Sequence, residues 1–309
     1  MKRKESRPRT DIYAQITEKL VAALEKGVRP WVQPWSAGNV KGRVTRPLRH
    51  NGEPYTGMNV LLLWSESMAR GFASPVWMTF RQASELGAHV RKGESGATVV
   101  YASRFKRTET DARGDEVERE IPFLKAYTVF NCDQIEGLPQ HYYARPIEPV
   151  PDPVERIGHA DRFFGNTGAV IRHGGAKAFF APSTDHVQMP PFESFRDAAS
   201  YYAVLGHECV HWAGASHRLN RDLSRYHQDR SERAREELIA DIGASFLCAD
   251  LGLVPELEPR ADHASYVASW LKVLQDDRRA IFAAAAHAQR AVAYLHGLQP
   301  RAESERKAA

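Results

Sequence analysis

The sequence predicts an α+β chain in two unlike halves: a small α+β first half, then a mainly helical second half. Three observations point there. Residues 98–105 and 120–131 carry the β-branched and aromatic content of paired strands. From Pro153 onward, long helix-forming runs dominate. Between them, Pro139 to Pro153 contains five prolines, which predict a stiff, extended linker.

Element by element, Asp11 is an N-cap for a helix through about Glu25, with Ile12, Ile16, Leu20 and Leu24 in register and Gly27 ending it. Trp31 to Trp35 is held extended by its flanking prolines, and 36–53 is a Gly- and Arg-rich loop. Asn59 to Met68 predicts a short helix, Pro75 to Thr79 a strand, and Thr79 or Phe80 the start of a second short helix ending at Gly87. The strands 98–105 and 120–131 are joined by an acidic hairpin tip turning at Arg113-Gly114-Asp115. The second half reads as a helix from Pro153 to Phe164, short strands at 169–173, 177–181 and 186–189, and helices from Glu193, Ser231 and Asp262. An Ala-rich helix, Ala280 to Leu298, closes it. The expected domains are 11–138 and 154–299, with 1–10 and 300–309 as disordered tails.

At 309 residues the chain is long enough for two cores, and 43% hydrophobic with 26% charged residues is an ordinary globular composition. No apolar run approaches the roughly 20 residues that span a bilayer, and the basic Met1 to Thr10 lacks the apolar stretch of a secretory signal. A cytoplasmic protein without a membrane partner is expected. Three cysteines, Cys132, Cys209 and Cys248, form no disulfide framework. Lys26 to Arg107 holds thirteen Lys/Arg against four acids, while residues beyond 141 are close to balance. The first half is therefore electrostatically suited to a polyanion.

The chemistry-bearing motif is His207-Glu208-Cys209-Val210-His211, the H-E-x-x-H spacing of a zinc metallopeptidase. Histidines four apart on a helix share a face and reach one metal ion. Glu208 can then accept the proton of an attacking water. A third ligand is expected from the following acidic helix, Glu236 to Asp241. Glu237 and Asp241 are four apart: Glu237 is assigned to the metal and Asp241 to the outer ring nitrogen of a ligand histidine. Glu236 is assigned to a solvated face, and Cys209 to the side away from the metal. One zinc ion per chain is expected, with the fourth position left to water. Tyr202, His217 and Arg218 are the nearest candidates to stabilise an oxyanion, and His217 is the preferred one, although a histidine near a helix end also suits the helix dipole.

The chain resembles the ArdC antirestriction family. The resemblance rests on Pro30-Trp31 with Pro34-Trp35, Tyr55 to Asn59, Trp77 to Ala83 and Val90 to Glu94 in the first half. In the second it rests on Pro182 to Asp185, His207 to Gly214, Arg218-Leu219, Glu236 to Asp241, Ser265-Tyr266 and Trp270-Leu271. It departs from the family pattern at Asp241, where many relatives have Glu, and at Cys209, which replaces an aliphatic residue. The resemblance implies a single-stranded-DNA-binding first domain, a zincin-like metallopeptidase second domain, and protection of incoming or replicating DNA from restriction. The competing class is a DNA-binding protein whose zinc is only structural.

For DNA, Trp31, Trp35 and Tyr55 are the expected stacking residues, joined by Asn59 from the Tyr55 to Asn59 motif. Arg43, Arg46, Arg81, Arg91 and Lys92 are expected along the phosphate path. The rival partner for this basic surface is an acidic protein, such as a peptidase substrate or a restriction-system component. The prolines favour two tethered domains; the alternative is one rigid body packed through Tyr142, Tyr143, Phe163-Phe164 and Phe179-Phe180.

Overall fold

Asp11 accepts from the backbone N–H groups of Tyr13 and Ala14 and so starts α1 (Ile12–Glu25), whose Ile16, Leu20 and Leu24 turn inward. The computed structural model describes residues 11–31, 46–110, 116–143, 153–226, 228–253 and 263–300. Residues 1–10 and 301–309 of the expected tails and the 113–115 turn lie outside them. After β1 (Leu48–Arg49) comes α2 (Met58–Arg70), closed by Gly71 in the left-handed conformation. Then follow β2 (Val76–Met78), α3 (Phe80–Glu85) with a Thr79/Gln82 capping box, and β3 (His89–Val90). The long strands β4 (Ala97–Thr110) and β5 (Glu116–Asn131) lead to β6 (Ile135–Glu136) and α4 (Gln140–Tyr143).

A four-stranded sheet has the order β1-β2-β5-β4, and β3 pairs with β6 in a separate ribbon. β4 and β5 pair antiparallel from Ala97↔Val129 to Thr110↔Glu116. Ala97, Val99 and Val129 are buried at the root of this ribbon, whereas Tyr101, Phe105 and Tyr127 beyond it are exposed. Asn59 fastens the root, its amide donating to the Val100 carbonyl at 2.9 Å and accepting from the Val100 N–H at 2.7 Å.

The second half runs α5 (Pro153–Gly165), β7 (Val170–His173), β8 (Phe179–Ala181), β9 (His186–Met189), α6 (Ala198–Ala213), α7 (Arg230–Leu251), α8 (His263–Asp276) and α9 (Ala280–Gly297). The three strands form a sheet of order β7-β9-β8 against α6. The α6 helix begins later than the sequence predicted. Asp197 caps the Ser200 N–H at 2.7 Å, and Phe192–Ser194 forms a separate 3-10 turn.

The tether expectation is corrected. Leu20, Trp31, Leu61, Leu63 and Trp64 of the first half share one core with Phe246, Trp270, Ile281, Ala285 and Val292 of the second. Trp31 meets Trp270 edge-on at 5.4 Å, and Trp64 meets Phe246 at 6.0 Å. The Thr17 hydroxyl donates to the Arg278 carbonyl at 2.7 Å. The start of the Pro-rich segment is also folded rather than extended. Gln140–Tyr143 is helical, with the Tyr143 hydroxyl on the Ile135 carbonyl and the Tyr142 hydroxyl on that of His50. Residues 144–152 lie outside the described set.

Candidate metal centre

Along α6, Tyr201, Tyr202, Leu205, Cys209 and Val210 are buried, so the helix enters the interior and takes its polar residues with it. His207 and His211 stand one turn apart with their Nε2 atoms separated by 3.2 Å. Gly243 lets α7 come close: a Cβ there would sit 2.7 Å from Val210 Cγ2. That approach delivers Glu237, whose Oε2 lies 3.4 Å from His207 Nε2 and whose Oε1 lies 3.7 Å from His211 Nε2. A tetrahedral ion with bonds of about 2.1 Å has ligand-to-ligand edges of roughly 3.4 Å. The separation of the two histidine nitrogens is close to that edge, and one donor atom from each of the three buried side chains lies within 4.8 Å of the other two, so the donor set fits a divalent ion.

Both imidazoles are aimed by carboxylates behind them. Asp241 lies 3.1 Å from His207 Nδ1, and Glu236 lies 3.0 Å from His211 Nδ1. With Nδ1–H donating outward, each Nε2 lone pair faces the centre. Glu236 corrects the sequence reading. It is buried, not solvated, and Arg221 grips it through Nε at 3.0 Å and Nη2 at 2.6 Å. Arg221 Nη2 also donates to the Val210 carbonyl at 2.7 Å, tying the loop to α6. Gly214 makes room for this guanidinium, since a Cβ there would lie 2.5 Å from Arg221 Cζ. The Tyr226 hydroxyl donates to Glu237 Oε1. From the first half, Arg29 reaches within 3.9 Å of Asp241.

Burial alone would favour neutral groups throughout. For His207 it is outweighed by the hydrogen bonds its ring donates to Asp241 and Glu237 and by the nearby carboxylate charges, which hold the pKa up at about 10. Burial would raise Glu237, but its contacts with His207 and the charge of His211 drive it well below the usual carboxylate range. Glu236 is lowered in the same way, against burial, by His211 and Arg221. The centre gathers buried carboxylates around two histidines, a donor set suited to a cation. Cys209 is fully buried in the core, and burial pushes its thiol up.

Comparison with known proteins places this geometry. A model of the N-terminal domain of the anti-restriction factor ArdC matches residues 10–130, and a model of a zincin-like metallopeptidase matches residues 158–287. The metal-free crystal structure of the antirestriction ArdC protein from plasmid R388 superposes with a TM-score of 0.77 at 45% identity, covering 93% of this chain and 97% of that one. The chain belongs to the ArdC antirestriction family. The Mn(II)-bound structure of the R388 protein matches at 44% identity with a TM-score of 0.75, over 93% of this chain and 98% of that one. An uncharacterized Sinorhizobium fredii protein, y4eC, is 44% identical over 95% of this chain and 94% of its own length. The Escherichia coli DNA primase TraC is 38% identical over 90% of this chain, which spans 26% of that longer protein.

Within this ArdC fold, Glu208 is buried beside His207, and its charge helps to raise the His207 pKa. The expected oxyanion donors are engaged elsewhere. His217 is 60% exposed and lies 3.3 Å from Asp185. The Arg218 guanidinium bonds Asp185 and lies over the Trp212 ring at 3.7 Å, and the Tyr202 hydroxyl donates to Asp161 at 3.2 Å. Tyr226 is the hydroxyl that the structure brings to the ligand set, and no local motif marks it.

The expected DNA residues scatter. Trp31 is fully buried against Trp270, so neither ring face is open to a base. Tyr55 is buried under Arg49, whose guanidinium lies 5.4 Å from the ring centroid. Arg46 is buried in a fork on Asp250 and lies over the Phe246 ring, so its charge faces protein, not phosphate. Asn59 holds the β4 backbone. Arg81, Arg91 and Lys92 are exposed, with Arg81 paired to Glu85 at 2.8 Å and Arg91 to Glu94 at 3.0 Å. Trp35 and Arg43 lie outside the described residues. Among the described residues, no helix is long and apolar enough to cross a membrane.

Proposed function

We propose that this chain is an antirestriction protein of ArdC type that binds single-stranded DNA and carries one catalytic zinc ion, protecting mobile-element DNA during transfer or replication. The observation that carries the reading is the buried triangle of His207, His211 and Glu237, with Asp241 and Glu236 behind its two histidines. The Mn(II)-bound R388 structure supports a divalent ion in this family. Two nitrogens and one carboxylate form a recurrent catalytic zinc set.

A zinc ion held there supplies Lewis-acid polarisation of a carbonyl and activation of water. The chain supplies the rest. Glu208 accepts the proton of the attacking water as the carbon–oxygen bond forms. It returns that proton to the leaving amine nitrogen as the carbon–nitrogen bond breaks. Asp241 and Glu236 keep both Nε2 atoms turned inward, and Tyr226 fixes the rotamer of Glu237. For DNA, the exposed Arg81, Arg91 and Lys92 belong to a first half with a strong basic excess, which attracts phosphate without regard to sequence. The relationship to the DNA primase TraC supports work on DNA.

The test is metal analysis of protein purified without chelator, alongside peptide hydrolysis and binding to single-stranded and duplex oligonucleotides. We expect close to one equivalent of zinc, lost in His207→Ala. Glu208→Gln should keep zinc and fold while losing hydrolysis. Absence of stoichiometric divalent metal sinks the catalytic half of the reading; equal affinity for single strand and duplex sinks the DNA half.

A further inference from the structure

We infer that one face of the β4–β5 ribbon is the platform on which unpaired bases stack. This rests on the single-stranded-DNA reading above and supplies the surface that Trp31 and Tyr55, both buried, do not offer. The strand register fixes what shares a face. Tyr101 is opposite Lys125, Ser103 opposite Phe123, Phe105 opposite Ile121, Arg107 opposite Arg119, and Val99 opposite Tyr127. Val99 is buried at the root; outward from it, this face presents Tyr101, Phe105 and Tyr127 at 54%, 47% and 48% exposure, with Phe123 half-buried among them.

The rings form a row. Phe123 lies 6.2 Å from Tyr101 and 6.1 Å from Phe105, centroid to centroid. Lys125 stands 5.3 Å over the Phe123 ring. From Tyr127, opposite Val99, to Phe105 the exposed rings span about 20 Å along the strands. An exposed aromatic row of this kind marks an interaction surface.

Charge selects the occupant. Between Val99 and Phe105, and between Ile121 and Tyr127, this face contains no acid, and its charged residue is Lys125. Glu118 and Glu120 sit on the other face, where Glu120 pairs with Arg104 at 3.1 Å and Glu118 with Lys106 at 2.9 Å. One side is therefore aromatic and cationic, the other internally neutralised. Flat rings interleaved with cations suit bases and phosphates of a single strand, and the contact is indifferent to sequence because every base has a π-face. A duplex hides those faces.

The full chain is titrated at low salt with a fluorescent oligo(dT) strand of roughly 20 nucleotides, longer than a typical stacking groove. Tyr101→Ala and Phe123→Ala should each weaken binding about tenfold. Phe123→Trp should restore it, and Leu124→Ala on the opposite face should change nothing. Lys125→Ala should lower the slope of log affinity against log salt by about 0.7. A 5-iodouracil strand should cross-link to peptides carrying Tyr101 or Phe123. Unchanged affinity in a Tyr101→Ala/Phe123→Ala chain overturns this platform while single-stranded-DNA binding stands. If the unaltered chain binds no oligonucleotide, both readings fall and the ribbon's partner is a protein.

Discussion

Arg46 and Asp250 meet in a two-pronged ion pair, Nε to Oδ1 at 2.6 Å and Nη2 to Oδ2 at 2.7 Å, across 204 residues of sequence. The remaining Arg46 nitrogen donates to Gln289 at 2.7 Å. The two matched domains are joined here by a buried fork, in addition to shared apolar contacts.

Arg46→Ala should therefore destabilise the whole chain by about 3 kcal/mol, since among the described residues it leaves Asp250 with its His296 contact alone. Thermal unfolding should stay a single transition in both proteins. Co-expressing the chain severed within 144–152 should give soluble protein only when both pieces are present. Two separately soluble, separately melting pieces would contradict the shared core.

Outer carboxylates should matter unequally. Glu236→Gln and Asp241→Asn should each weaken zinc binding about 10–100-fold in competition with a chromophoric chelator. Glu236→Gln should also lower stability by about 3–5 kcal/mol, because Arg221 is left buried without a counter-charge. Equal melting temperatures for the two variants would show that the Arg221 pair carries no such load.

Gly243 sets the spacing of α6 and α7. Gly243→Ala drives a methyl against the stiff, β-branched Val210 and should cost about 1–3 kcal/mol with loss of zinc. Val210→Ala in the same chain should recover much of both. Gly206→Ala, where the nearest atom is Leu247 Cδ1 at 3.4 Å, should be milder. The ranking is read from melting temperature and metal content.

Tyr226→Phe keeps the ring and removes the hydroxyl from Glu237. Zinc affinity should fall by about tenfold, the scale of an outer-shell contact. His217→Ala, at an exposed position beside Asp185, should leave zinc content unchanged. The reverse order, measured by the same chelator competition, would return His217 to the site.

What the sequence disclosed was whatever periodicity controls. The 207/211 and 237/241 pairs follow from four-residue helical spacing, and Asp11 and Gly27 mark the two ends of the first helix by local chemistry. The same logic misplaced Glu236. A helix buried on nearly every side, with Leu238, Ala240, Ile242 and Phe246 all covered, has no solvated face to assign. Trp31 and Arg46 sit in polar, proline-rich surroundings that suggest exposure, but their partners Trp270 and Asp250 arrive from more than 200 residues away. Arg221 and Tyr226 belong to a loop, where no repeat announces what a side chain will reach.

Thr17 finds its acceptor at Arg278, 261 residues later in the chain. At ribosomal speeds of ~5–20 residues per second, the first helix waits roughly 13–52 s before that partner has been made. Throughout that wait Trp31 lacks Trp270, its edge-on partner in the shared core, and the nascent chain presents it to chaperones and proteases. The β4–β5 ribbon has no such delay, because each of its pairings closes within a few dozen residues. The segment proposed to meet DNA can take shape early, while the metal centre waits for α7 to reach α6.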